Sequence, residues 1–131
     1  MNVSTPSLLV LNLAGVLISL GGLYDLFTPR LPAHLASRCE GNPAALELVR
    51  ALLRALGGCL VPIGLTVAAL ADIPARQGHA WALGIILVLV VPAEGLNAWG
   101  MYRVGSPYYV PAGFILLALV GVALGIASQP H

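Results

Sequence analysis

The chain is 131 residues long, 59% hydrophobic and only 8% charged, with a mean hydropathy of +0.94. A water-soluble domain carries roughly 25% charged residues to cover its surface, so this composition excludes a soluble enzyme and fits a chain solvated by lipid. The net charge of +1, from six arginines and no lysine against five acids, excludes the clustered basic face of a nucleic-acid binder.

At about 20 apolar residues per membrane crossing, the length holds four spans and short loops. The fold class expected is all-α: one domain over 1–131, an integral membrane four-helix bundle running up-down-up-down. The first span covers 7–27, apolar apart from Asn12 and Ser19, and ends in Tyr24 and Asp25. No cationic residue precedes Arg30. A secretory signal needs a positive region before its apolar run, so this segment is expected to remain as a helix.

Residues 28–43 form a loop punctuated by Pro29, Pro32 and Pro43, which forbid a continuous helix. Asn42-Pro43 reads as an N-cap followed by proline at the first helical position, opening a second helix over 44–71. A short turn with Pro74 and Gly78 follows. The third span covers 79–103, with His79 and Trp81 at an interface and Pro92 and Glu94 within it. Gly105-Ser106-Pro107 ends it, Tyr108 and Tyr109 mark the interface again, and the fourth span covers 109–128.

Arginine placement predicts orientation. Arg30, Arg38, Arg50 and Arg54 lie in or near the first loop and Arg103 in the third, against Arg76 alone on the other side. By the positive-inside rule the first and third loops are cytoplasmic and both termini lie on the non-cytoplasmic side. Small residues offer a means of packing where no hydrophobic drive exists between lipid-solvated helices. These are Gly15, Ser19 and Gly22 on the first span, Gly57, Gly58 and Gly64 on the second, and Gly121 with Gly125 as a GxxxG on the fourth.

Charge at the centre of a bilayer costs roughly 2.5–3.5 kcal/mol per group on the insertion scale, so each such residue needs a partner or a wet cavity. Glu47, Arg50 and Arg54 share one face of the second helix, and Glu94, Asn97 and Met101 share one face of the third. At about 1.5 Å of rise per residue, Arg54 and Glu94 differ in depth by about one helical turn. The short turn between their helices makes antiparallel neighbours of them, and a Glu94–Arg54 ion pair is expected. Asp25 falls at nearly the depth of Arg54, with Tyr24, Tyr108 and Tyr109 bordering the same level. Pro92 frees the carbonyl near Val88 and bends the helix just before Glu94. The polar residues thus gather in the cytoplasmic half, and the outer half reads as apolar.

Two readings of this cluster stand side by side. It is a structural ion-pair network fixing helix register, with its outermost members snorkelling to lipid headgroups. Otherwise it lines a pocket in which Glu94 and Asp25 are the catalytic acid and base, while Arg54, Asn97, Tyr102, Arg50 and Tyr24 bind the substrate. Cys39 and Cys59 have neither a metal nor a redox spacing, and no disulfide is expected. His34, Cys39 and Glu40 match no metal site, His79 and His131 read as interface and tail residues, and neither a metal nor a cofactor is predicted.

The run Gly21-Gly22-Leu23-Tyr24-Asp25-Leu26-Phe27-Thr28-Pro29, with Arg54-Ala55-Leu56-Gly57-Gly58, resembles the small four-helix membrane proteins grouped as DoxX-like. The resemblance covers most of the chain and implies a fold rather than an activity. Pro92-Ala93-Glu94 is similar to the Pro-x-Glu signature of small membrane lycopene cyclase subunits, where a second acid follows and this chain has Gly95. That likeness implies a proline-flanked acid able to protonate an isoprenoid double bond.

The function expected is acid–base chemistry, as an isomerase or cyclase, on a lipophilic isoprenoid- or sterol-like molecule, with membrane lipid or a lipophilic small molecule as partner. Glu94 moves the proton, Asn97 and Tyr102 position a polar end, and Arg54 sets the charge state. The alternatives are an accessory or assembly subunit, as a homo-oligomer or with a partner membrane subunit, and a small proton-coupled exporter.

Overall fold

The computed structural model describes residues 3–28, 31–39 and 41–128, with the side chain of His34 excepted. Arg30, Glu40 and His131 therefore lie outside the described residues, as does the imidazole of His34. The fold is all-α: α1 (Thr5–Phe27), a short α2 (Ala33–Arg38), α3 (Pro43–Leu70) continuing as a wider turn over Ala71–Ala75, α4 (Trp81–Arg103) and α5 (Tyr109–Ala127). Four of these helices are long and apolar enough to cross a bilayer, as expected of a membrane four-helix bundle.

The helix boundaries follow local chemistry. Asn42 caps α3, its side-chain oxygen accepting from the backbone N–H of Ala44 at 3.0 Å and Ala45 at 3.3 Å, with Pro43 at the first helical position. This satisfies two of the donors that a helix N-terminus leaves free. Where a loop is expected after the first span, six residues between Pro32 and Cys39 form α2, opened by bonds from Leu35 and Ala36 to the Pro32 carbonyl. Prolines bound this helix rather than forbid it.

The expected turn after 71 is also more ordered. Pro74 has no N–H to give, and the chain widens to bonds spanning five residues, from Arg76 to Ala71 O at 3.2 Å and from His79 to Pro74 O at 2.9 Å. Gly78, at φ 86°, then takes a conformation that costs glycine nothing. Together α3 and this turn make 33 residues, about 50 Å of helix against about 30 Å of hydrocarbon. The apolar layer therefore spans only part of its length.

Helix packing runs in the order α3, α1, α5, α4. The most extensive contact is α1 with α3, followed by α1 with α5 and α4 with α5. The expectation that the second and third spans are close neighbours is corrected, because α3 and α4 touch little. A short connection fixes adjacency in the chain, but the glycines decide which faces meet. Antiparallel α1 and α3 cross backbone to backbone. A methyl on Gly15 would sit 2.6 Å from the Gly64 carbonyl oxygen, and one on Gly22 would sit 2.9 Å from the Gly57 carbonyl oxygen.

On the other flank of α1, Gly121 of α5 receives Leu11, while Ser7 donates to the Gly121 carbonyl at 2.6 Å. Gly125 accepts Leu83 of α4 against it. Gly58 meets nothing within 4 Å, so the second span uses Gly57 and Gly64 of the three glycines named for it. Leu11, Ile18, Val67, Ile86, Val90 and Ala118 fill the centre with no exposure to solvent.

Candidate functional site

The buried face of α4 consists of Ala82, Leu83, Ile86, Val90 and Glu94, a stripe at helical spacing whose last member is a carboxyl. Glu94 is 0% exposed. Its register is set by neighbours: Gly125 of α5 meets Leu83, and Gly21 of α1 meets Phe114 of α5. Counting back along α5 from Gly125 and forward along α4 from Leu83 brings Glu94 level with Phe114 and Gly21. One carboxyl oxygen, Oε2, accepts from the Asn97 side-chain amide at 3.2 Å, and the other, Oε1, is buried with no partner among the described residues.

Asp25 lies one turn beyond Gly21 on α1, toward the arginine-bearing end. It is half-buried, and its Cβ stands beside Gly57 at the α1–α3 crossing. The structure thus joins Glu94 to Asn97 on α4 and sets Asp25 at the α1–α3 crossing beside Gly57.

Arg54 does not join them. It is exposed, as are Glu47 and Arg50, and the expected Glu94–Arg54 ion pair does not form. Arg50 sits two turns before Gly57, past the end of α1, where no helix remains to cover that face. Glu47, Arg50 and Arg54 do share a face, but it points out of the bundle. Tyr24 and Tyr102 are 67% and 64% exposed. Tyr102 packs edge-on against Tyr108 at 5.5 Å, Tyr108 packs on Tyr109 at 6.5 Å, and Arg103 lies over the Trp99 ring at 5.8 Å. Such amphipathic rings suit a headgroup boundary. These residues form a rim rather than a wall of the buried site.

One ion pair is present among the described residues, at the opposite end of the bundle, between Arg76 and Asp72 at 2.9 Å. Asn12 donates to the same Asp72 oxygen at 3.3 Å. The outer half is therefore not uniformly apolar, and this cluster was missed. Its signal was present in Asn12 within an apolar run and in an acid and arginine four residues apart. Two clefts lie at this end too. One of ≈ 420 Å³ is lined by Val3, Thr5, Leu8, Leu9, Asn12 and Arg76, and a flatter one of ≈ 450 Å³ runs along Leu65 to Pro74.

Among the described residues no three His, Cys, Asp or Glu side chains converge on a point that could hold a metal. Cys39 is buried, Cys59 is exposed, and both are free thiols. A charged group buried in a low-dielectric interior is costly unless it is paired and hydrogen-bonded. Among the described residues Glu94 has one amide donor and no cation. What the arrangement offers chemically is a carboxyl with one oxygen fixed and one oxygen free, next to a second carboxyl nearer the helix ends. Compared with protein-family models, with curated proteins and with solved structures, the chain matches none.

Proposed function

We propose that this protein is a membrane-embedded acid–base catalyst for a lipophilic molecule of isoprenoid or sterol type, with Glu94 as the proton-transfer group. The observation that carries this reading is the buried, unpartnered Oε1 of Glu94 beside an oxygen already held by Asn97. In its protonated form the carboxyl carries no charge into the apolar core, and its one donor is available to an acceptor with little other hydrogen-bonding capacity, such as a carbon–carbon double bond.

The step balances. The Glu94 O–H bond breaks, a C–H bond forms at one alkene carbon, and the resulting cation loses a proton from a neighbouring carbon, which restores the acid. Asn97 fixes the carboxyl, and Asp25 exchanges protons with the arginine-bearing side. Tyr24, Tyr102, Arg50 and Arg54 stand at headgroup level, where the polar end of an amphiphile would rest. We place that side in the cytoplasm because it holds most of the arginines.

Deuterium exchange tests this without knowledge of the product. Liposomes containing the protein and mixed isoprenoids and sterols are incubated in D2O, and carbon-bound deuterium is read by mass spectrometry. Incorporation with wild type and its loss with Glu94→Gln are expected; equal incorporation by both proteins would overturn the assignment.

A second reading, an accessory subunit of a larger membrane assembly, draws on glycines that face outward. A methyl on Gly58, Gly84, Gly95, Gly100 or Gly113 would meet nothing within 4 Å, which leaves room for the close approach of a partner helix. Purification in mild detergent that always yields the chain alone would count against it.

A further inference from the structure

The ≈ 420 Å³ cleft at the Asp72 end has no part in the chemistry of Glu94, and its construction is specific. Val3, Leu8 and Leu9 give its lining an apolar surface, and Thr5, Asn12 and Arg76 give it polar groups. Among the described residues no acidic side chain lines it. Asp72 stands behind that wall, accepting from Arg76 Nη2 at 2.9 Å and from Asn12 Nδ2 at 3.3 Å on the same oxygen. The carboxylate pins the guanidinium with one of its donors, and among the described residues no other acceptor takes the remaining fork, which suits a further oxyanion.

The widened turn over Ala71–Ala75 carries Asp72 and leads directly into Arg76. Trp81 and His79, stacked 6.2 Å apart, mark the same level as a membrane boundary. From the apolar wall an exposed stripe of Leu9, Leu13, Val16 and Leu20 descends α1. Its eleven-residue rise is about 16 Å, half the hydrocarbon thickness of about 30 Å and therefore one leaflet deep.

We infer that this cleft binds the phosphate headgroup of one membrane lipid, with Arg76 as its principal ligand and one acyl chain laid along the Leu9–Leu20 stripe. A phosphate matches the planar donor fork of arginine. Donors at the head and an apolar track one leaflet long together select a phosphate-bearing amphiphile over a free anion or an uncharged lipid. The site is independent of the reading given to Glu94.

Native mass spectrometry of the full chain, released from micelles containing palmitoyl-oleoyl phosphatidylglycerol, tests it. One retained lipid per chain is expected, with apparent affinity lowered at least about tenfold by Arg76→Gln and unchanged by Arg103→Gln at the other end. Leu9→Trp, which fills the cleft from its apolar wall and leaves Arg76 and Asp72 in place, is also expected to release the lipid. It decides the matter if Arg76→Gln fails to fold. Palmitoyl-oleoyl glycerol, which lacks the phosphate, is expected not to be retained, and inorganic phosphate alone is expected not to raise thermal stability. Retention by both cleft variants, equal loss in Arg103→Gln, equal retention of the uncharged lipid, or equal stabilisation by inorganic phosphate would each overturn the site.

Discussion

Replacing Gly64 by alanine adds one methyl group at the closest point of the α1–α3 crossing. That methyl would sit 2.6 Å from the Ser19 backbone nitrogen, with Ser19 Oγ and the Gly15 carbonyl oxygen nearer still. Ordinary carbon contacts lie at about 3.5–4.0 Å, so the two helices must part by about 1 Å or bend. A gap of that size forfeits a quarter to a half of each contact's attraction along the crossing, and overpacking of a tight interface costs about 1–3 kcal/mol.

Alanine returns up to about 1 kcal/mol as the better helix former. Gly58→Ala brings the same propensity gain on the same helix, six residues away, with nothing within 4 Å of the new methyl. The difference between the two variants therefore isolates the clash, and a gap of about 1–3 kcal/mol is expected, with Gly64→Ala the weaker. Reversible titration with SDS in mixed micelles, followed by far-ultraviolet circular dichroism, measures both. Stabilities within about 0.5 kcal/mol of each other would mean that α1 and α3 do not meet at this separation, and the packing order built on it would fall.

Other expectations can be checked by the same titration. Asn42→Ala removes the cap of α3 and is expected to cost about 1 kcal/mol. Arg54→Gln is expected to stay within about 0.5 kcal/mol of wild type, because the arginine is exposed and unpaired; a loss of about 3–5 kcal/mol would restore the buried pair that the structure denies. Asn97→Leu strips Glu94 of its one donor and is expected to cost about 1–3 kcal/mol. Adding Glu94→Leu to it removes the stranded carboxyl, and the double variant is expected to recover much of the loss.

Composition made the membrane assignment legible, and the four spans followed from apolar runs broken by prolines and glycines. Helix rotation was harder to read. A span that is apolar all round carries no amphipathic signal for the side that faces its neighbours, so Arg54 looked as suitable a partner for Glu94 as any residue at its depth. Small residues were the only guide, and of the glycines named only Gly58 misled: Gly57 and Gly64 mark the α1 contact, whereas Gly58 faces away. The α2 helix was hidden because prolines serve equally as breakers and as first-turn residues. The Asn12–Asp72–Arg76 cluster joins residues sixty positions apart, and only the crossing of α1 with the turn after α3 brings them together. Asn97 was legible because three residues on a helix always place two side chains on one face.

The packing order also bears on how the protein is assembled. α1 and α3 can associate through their glycine crossing as soon as both are threaded into the bilayer, but α4 makes its main contact with α5, the last of the four spans to leave the ribosome. Until α5 arrives, the carboxyl of Glu94 faces acyl chains without its eventual enclosure. A chain stalled at that point would present an exposed intramembrane acid, a feature by which quality-control proteases could tell unfinished copies from completed ones.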